Sequence, residues 1–81
     1  MEFKLGKVYS FENRLGKIIT EQEEYIFNED DLEVKNIKKG DIVKFRPEIV
    51  NDINRAFFVT KVDEMIYNSQ EGIKRVIKSG K

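Results

Sequence analysis

The sequence contains no cysteine and no histidine among its 81 residues. Without cysteine, disulfide bonds and thiolate metal sites are excluded. Without histidine, the chain lacks the commonest metal ligand and the commonest general base near neutral pH. The remaining nucleophilic and acid–base side chains would need a preformed pocket, for which a single domain of this length has little room. We therefore expect a protein that is not an enzyme and that uses no cofactor or metal.

Long apolar runs are also absent, and no stretch approaches the roughly 18 to 20 residues that a membrane span requires. The N-terminal residues 1–5 do not form the continuous apolar segment that is typical of a signal peptide. These two absences predict a cytoplasmic protein that does not bind membranes.

Positive and negative charges balance, with 15 basic and 15 acidic residues. This balance argues against binding to a polyanion through bulk positive charge. The charges are unevenly distributed, however, because residues 21–33 hold seven acidic side chains and no basic one, and the last ten residues hold four basic side chains and no acidic one. Either both segments are simply solvated, or they form opposed patches that orient a polyanion.

Alternating apolar and polar residues, separated by turn-forming residues, predict five short strands. The predicted strands cover residues 3–11, 15–20, 24–28, 42–46 and 55–62. The residues predicted to face a common core are Val8, Ile18, Val43, Phe45 and Val59. Pro47 follows the fourth strand, and the loop over residues 48–54 is predicted to be mobile. Five short strands favour a small closed barrel, in which strand edges are paired.

In the C-terminal residues, the spacing of apolar side chains changes from the alternation of a strand to the period of a helix. Asn68 and Glu71 have the spacing of a capping box, and Gly80 is a natural helix stop. Between them, Ile73, Val76 and Ile77 recur at helical spacing. This pattern predicts a helix over residues 69–79, which needs a surface to pack on because so short a helix is marginal in isolation. We therefore divide the chain into a barrel over residues 1–64 and a helical extension with a basic tail over residues 65–81.

Five short motifs follow one another between residues 5 and 63. They are Gly6-Lys7-Val8-x-x-Phe11, Leu15-Gly16-Lys17-Ile18, Tyr25-Ile26-Phe27-Asn28, Ile37-x-x-Gly40-x-x-Val43-x-Phe45 and Arg55-Ala56-x-x-Val59. In order and approximate spacing they resemble the bacterial cold-shock domain. The resemblance implies an all-β fold, a five-stranded antiparallel Greek-key barrel of the OB type, here followed by the short C-terminal helix. It also implies a face on the first three strands that binds single-stranded RNA or DNA.

Both nucleic-acid-binding motifs of that family diverge in this sequence. The family's lysine–glycine–aromatic–glycine–phenylalanine corresponds to Arg14-Leu15-Gly16-Lys17, which lacks both aromatic residues. Its valine–phenylalanine–valine–histidine–phenylalanine corresponds to Tyr25-Ile26-Phe27-Asn28-Glu29, which lacks the outward phenylalanine, the histidine and the last aromatic. Ser10 replaces a family tryptophan. Since each stacked base contributes roughly 1–3 kcal/mol, we expect weak, sequence-tolerant binding.

Basic and aromatic side chains remain on the presumed binding face. The candidate binding residues are Lys7, Tyr9, Phe11, Arg14, Lys17 and Arg55. The aromatic rings would stack on unpaired bases while the cations follow the phosphates. The plainer interpretation is that these rings cover the flank of the barrel and that the cations are solvated. Phe57 and Phe58 cannot both face the core by alternation, so one is expected to be exposed or covered by the C-terminal helix, and packing is preferred to base stacking as its role.

A protein-interaction or self-association module is the alternative function. Such a module would keep the barrel and lose the stacking platform. It would use the acidic segment 21–33, an open strand edge, or the apolar stripe of the C-terminal helix, through which it would form a homodimer or bind a protein partner. Salt-dependent binding to an oligonucleotide would favour the first function, and concentration-dependent self-association would favour the second. The sequence does not distinguish RNA from DNA as the ligand.

Overall fold

The computed structural model describes residues 2–62, which form five strands and one single-turn 3₁₀ helix. The elements are β1 (Lys4–Glu12), β2 (Leu15–Ile19), β3 (Glu24–Asn28), η1 (Glu29–Asp31), β4 (Ile42–Val50) and β5 (Ile53–Lys61). Over this part of the chain, no helix has the length and apolar character needed to cross a membrane. The predicted helix over residues 69–79 and the predicted domain boundary after residue 64 lie outside the described residues.

The five strands close into a barrel in the order β1–β2–β3–β5–β4. Neighbouring strands are antiparallel except for β3 and β5, which pair in parallel at Ile26 and Arg55. The predicted barrel was purely antiparallel, and this is corrected to a mixed one. The reason is geometric, because strand directions can alternate all the way around a closed ring only if the number of strands is even. With five strands, one neighbouring pair must run in the same direction.

The core lies inside the barrel and receives side chains from all five strands. The predicted core is confirmed, since all five of its residues are almost completely buried: Val8, Ile18, Val43, Phe45 and Val59. Tyr25, Phe27, Ile37 and Ala56 complete the buried cluster. The two largest fully buried side chains are Phe27 and Phe45, so the aromatic rings of β3 and β4 fill most of the interior.

Two hairpins end in two-residue turns with left-handed backbone. Asn13 and Arg14 join β1 to β2, and Asn51 and Asp52 join β4 to β5, all with φ between 53° and 68°. Two successive positive φ values are typical of the type I′ turn, which asparagine tolerates and which matches the twist of the flanking strands. The segment 48–54 is therefore a hairpin in which paired strand residues flank a two-residue turn, and the prediction of a loop over these residues is corrected.

A polar cluster satisfies the hydroxyl of the buried Tyr25. This hydroxyl donates to Glu23 Oε1 at 2.5 Å and accepts from Lys4 Nζ at 3.2 Å, while the same lysine donates to Glu23 at 3.0 Å. Burial and the hydrogen bond to Glu23 raise the pKa of Tyr25 above its ordinary value. Hydrogen bonds from Tyr25 and Lys4 hold the pKa of Glu23 below its ordinary value. The phenol thus stays protonated and paired near neutral pH, which avoids a buried polar atom without a partner.

Candidate nucleic-acid interface

A β-bulge in β1 places Tyr9 on the outer surface of the barrel. Val8 pairs with Ile18 of β2, but Ser10 pairs with Lys17, so Tyr9 is an extra residue without an opposite partner in β2. A bulge of this kind bends the strand and redirects a side chain. Tyr9 is 55% exposed, although its neighbour Val8 is buried in the core. The bulge therefore presents an aromatic face that does not contribute to the core.

One lysine contacts the exposed ring, and a second lies two residues before it on β1. Lys17 Nζ lies 5.8 Å from the centroid of the Tyr9 ring, which is within the range of a cation–π contact. The same amine forms an ion pair with Glu24 Oε1 at 3.4 Å, so part of its charge is balanced. Lys7 is exposed on β1, opposite Ile19. Lys7, Tyr9 and Lys17, which we call the β1–β2 face, are the predicted site residues that the structure brings together.

The bulge moves Phe11 away from this face. Strict alternation predicted that Phe11 would share the side of Lys7 and Tyr9, but the extra residue reverses the alternation in the second half of β1. Phe11 instead lies opposite the buried Gly16, and its ring centroid is 5.4 Å from that of Phe27. Its side chain packs against the core. The predicted placement of Phe11 beside Tyr9 is therefore wrong, and the face has one aromatic platform from β1 instead of two.

The partly buried side chain of Arg55 is held by contacts with β3, η1 and a neighbouring ring of β5. Its guanidinium forms an ion pair with Asp31 at 2.9 Å, and its Nε donates to the carbonyl of Ile26 at 3.3 Å. The group also lies 5.0 Å from the centroid of the Phe57 ring. These contacts tie β5 to β3 and η1 at the parallel junction of the ring. The structure thus places Arg55 where it stabilises closure of the barrel.

Arg14 lies in the turn between β1 and β2, with a largely exposed side chain that pairs with Glu29 at 3.0 Å. Its backbone carbonyl accepts a hydrogen bond from the amide of Glu29 at 2.9 Å. Exposed ion pairs of this type contribute little free energy and can be broken by a stronger anionic ligand. Arg14 therefore remains near the end of the β1–β2 face, with its charge partly neutralised by η1.

Lys39 is a further cation near this face that the sequence analysis did not select. In the sequence, residues 38–41 lie between the third and fourth predicted strands, without a position relative to β1. In the structure, Gly40 N donates to the carbonyl of Val8 at 2.8 Å, and Val8 N donates to the carbonyl of Asp41 at 2.9 Å. These bonds fix the loop against the residue that precedes Tyr9, and Lys39 is exposed there. No local sequence signal predicts this contact, because it joins residues about thirty positions apart.

No protein-family model matches the sequence, and no curated protein matches it. Among solved structures, the chain is similar to Drosophila Unr CSD456, a cold-shock-domain structure, with a TM-score of 0.67 and 17% sequence identity. The match covers 76% of this chain and 27% of that one, so this chain spans about a quarter of the matched structure. The predicted resemblance is confirmed at the level of the fold. Residues 2–62 form a five-stranded closed barrel, consistent with an OB-fold and similar in fold to that structure.

Proposed function

We propose that this chain binds single-stranded nucleic acid weakly through the β1–β2 face. Tyr9 stacks on an unpaired base, and Lys7 and Lys17, with Lys39 beside them, contact the neighbouring phosphates. The observation that carries the proposal is the position of Tyr9, which is 55% exposed at a bulge and has a lysine amine 5.8 Å from the centroid of its ring. An aromatic face next to cations is the arrangement that single-strand binding requires.

The same geometry supports weak affinity with little preference among bases. One platform stacks one base or a few, and stacking contributes roughly 1–3 kcal/mol per base for any base, because every base has a π face. Glu24 balances part of the charge of Lys17, and the formal net charge of the chain is zero. We expect duplex DNA to compete poorly, since its bases are paired and cannot reach a flat stacking surface.

Replacement of Tyr9 by alanine should weaken binding by about 1–3 kcal/mol across different base sequences. The loss should not depend on sequence, because the substitution removes a stacking surface and no base-specific hydrogen bond. The measurement is fluorescence anisotropy with a labelled single-stranded oligopyrimidine. Tyr9→Phe is the matched control, since it keeps the ring and should keep most of the affinity. Equal affinities for the alanine variant and the unmodified protein would place the binding surface elsewhere.

Replacement of Lys17 by alanine should change the salt dependence of binding. Two or three phosphate contacts give a log–log slope of about −1.5 to −2 for a single strand, and each lost contact reduces it by about 0.7. Anisotropy titrations at several salt concentrations measure this slope. Lys35→Ala is the control, because it removes one exposed charge from the loop between η1 and β4. If neither protein nor variant bound the oligonucleotide at millimolar concentration and low salt, the proposed function would be wrong.

A protein-interaction module remains the alternative function, and one observation favours it. Ile49 at the end of the β4–β5 hairpin is 74% exposed, and Ile53 on the opposite strand is 50% exposed. The pairs Ile49–Asn54 and Val50–Ile53 place the two isoleucines on opposite faces of the hairpin, so its tip carries an exposed apolar side chain on each face. Sedimentation velocity across a range of concentrations would detect self-association, and Ile49→Ser should then shift the equilibrium toward the monomer.

A further inference from the structure

A second set of exposed aromatic and basic side chains lies on β4 and the strands beside it. On the outer side of β4 and its neighbours, Lys44 Nζ is 5.1 Å from the centroid of the Phe3 ring. Beside it, Arg46 Cζ is 5.0 Å from the centroid of the Phe58 ring. Phe3 is 41% exposed and Phe58 is 45% exposed. We call Phe3, Lys44, Arg46 and Phe58 the β4 stripe.

Strand pairing explains why these residues share one surface. Phe45 points into the core, so Lys44 and Arg46 on either side of it point outward. Lys44 lies opposite Leu5 of β1 and Thr60 of β5, and Arg46 lies opposite Phe57. Between these two pairs β5 has one residue more than β4, and Phe58 occupies this bulge. The stripe therefore crosses three neighbouring strands of the barrel.

The backbone at Phe58 is unfavourable for a bulky residue. Its φ is 54°, in the left-handed region that glycine adopts without steric cost and that large side chains rarely adopt. Burial in the core does not compensate for this cost, because the core positions on this part of β5 are occupied by Ala56 and Val59. Strained residues of this kind concentrate at binding sites. An exposed phenylalanine at a position that suits glycine therefore needs an explanation other than packing.

We propose that the β4 stripe is a second contact surface for the same single-stranded nucleic acid, a proposal that rests on the function proposed above. Phe58 and Phe3 stack on unpaired bases, and Lys44 and Arg46 contact the phosphates between them. Arg46 also pairs with Glu48, so its charge is shared between that carboxylate and the ligand. Each exposed ring lies next to a cation, which matches a ligand that alternates aromatic bases with anionic groups. A protein-docking patch would instead be depleted of lysine, which this stripe has at Lys44.

Phe58→Gly is the variant that tests this proposal. It removes the ring and the strained backbone together, so the thermal stability of the full chain should be unchanged or higher. Affinity for a single-stranded oligothymidine of about 16 nucleotides, the upper end of the site size of one OB-fold, should fall about 5-fold or more. Asn51→Gly is the matched control, because Asn51 has nearly the same φ of 53° but lies in the hairpin turn outside the stripe. That control should bind as the unmodified protein does.

An NMR titration with the same oligothymidine gives the readout at each surface. Backbone amide signals of Lys44, Arg46 and Phe58 should shift on binding, in addition to those of Tyr9 and Lys17. If the unmodified protein binds and Tyr9→Ala weakens it, but Phe58→Gly has no effect on affinity, the second surface is overturned while the proposed function stands. A marked loss of thermal stability in Phe58→Gly would also overturn it, since the ring would then have a packing role. Absence of all binding would overturn the proposed function itself.

Discussion

Truncation of Phe45 to alanine is expected to lower the free energy of unfolding by about 3–5 kcal/mol. Its side chain is fully buried, and its ring centroid lies 4.9 Å from that of Tyr25. The substitution would leave a cavity in the middle of the barrel that neighbouring strands cannot fill, because they are fixed by their pairing. Small domains have total stabilities near the low end of roughly 5–15 kcal/mol, so a large fraction of the variant should be unfolded. Urea denaturation followed by circular dichroism measures the loss.

Phe3→Ala is the matched control for this prediction. It makes the same chemical change at a residue that is 41% exposed, where the side chain buries less apolar surface on folding. Its cost should be about 1 kcal/mol or less, as is usual for surface substitutions. Similar costs for the two variants would mean that the interior of the barrel does not depend on the ring of Phe45.

The core could be predicted from the sequence because period-two alternation has a direct physical cause. Successive side chains of a strand point to opposite faces. The hydrophobic effect drives apolar side chains to the face that is buried in the core. Ile18 and Val43 were assigned to the core on this basis, and both are buried. The approximate bounds of β2 and β3 followed from the same pattern, since both strands are short and regular.

Alternation failed at the two bulges. One extra residue at Tyr9 reverses the remainder of β1, so Phe11 turns inward. Another at Phe58 leaves both Phe57 and Phe58 outside the core, between the buried Ala56 and Val59. The extra residue is defined by the register of the partner strand, and the sequence of a single strand carries no information about register. Tyr9 and Phe58, at the two bulges, are two of the three exposed aromatic side chains in residues 2–62, which is why the candidate site was predicted only in part.

Contacts between residues far apart in the chain were the second feature that the sequence did not predict. Arg55 was assigned to the binding face from the family resemblance. Closure of the barrel instead places β5 beside β3, where Arg55 forms an ion pair with Asp31. The contact of the 38–41 loop with Val8 was equally invisible, because it depends on the crossing between β3 and β4. The parallel junction itself could have been predicted, since an odd number of strands in a closed ring requires it.

The second large effect is expected at Gly16, where replacement by alanine should cost about 1–3 kcal/mol or more of stability. A Cβ atom at this position would lie 2.1 to 2.7 Å from three atoms of the Phe27 ring. Phe27 is fully buried and its ring also contacts Phe11, so it cannot move away without disturbing the core. In an open strand the same substitution would be favourable, since glycine weakens strands by roughly 0.5–1 kcal/mol. At Gly16 the steric clash outweighs this gain, so the substitution should lower the stability of the barrel.

A double-mutant cycle with Phe27→Leu tests this explanation. Leucine is smaller and more flexible than phenylalanine, so Gly16→Ala should cost at least about 1 kcal/mol less in the Phe27→Leu background, as expected for residues in contact. Gly40→Ala is the control, because a Cβ atom there would have no neighbour within 4 Å and the cost arises from its φ of +94°. That cost should be the same in both backgrounds. If Gly16→Ala also cost the same in both, the ring of Phe27 would not be the reason that β2 has a glycine at this position.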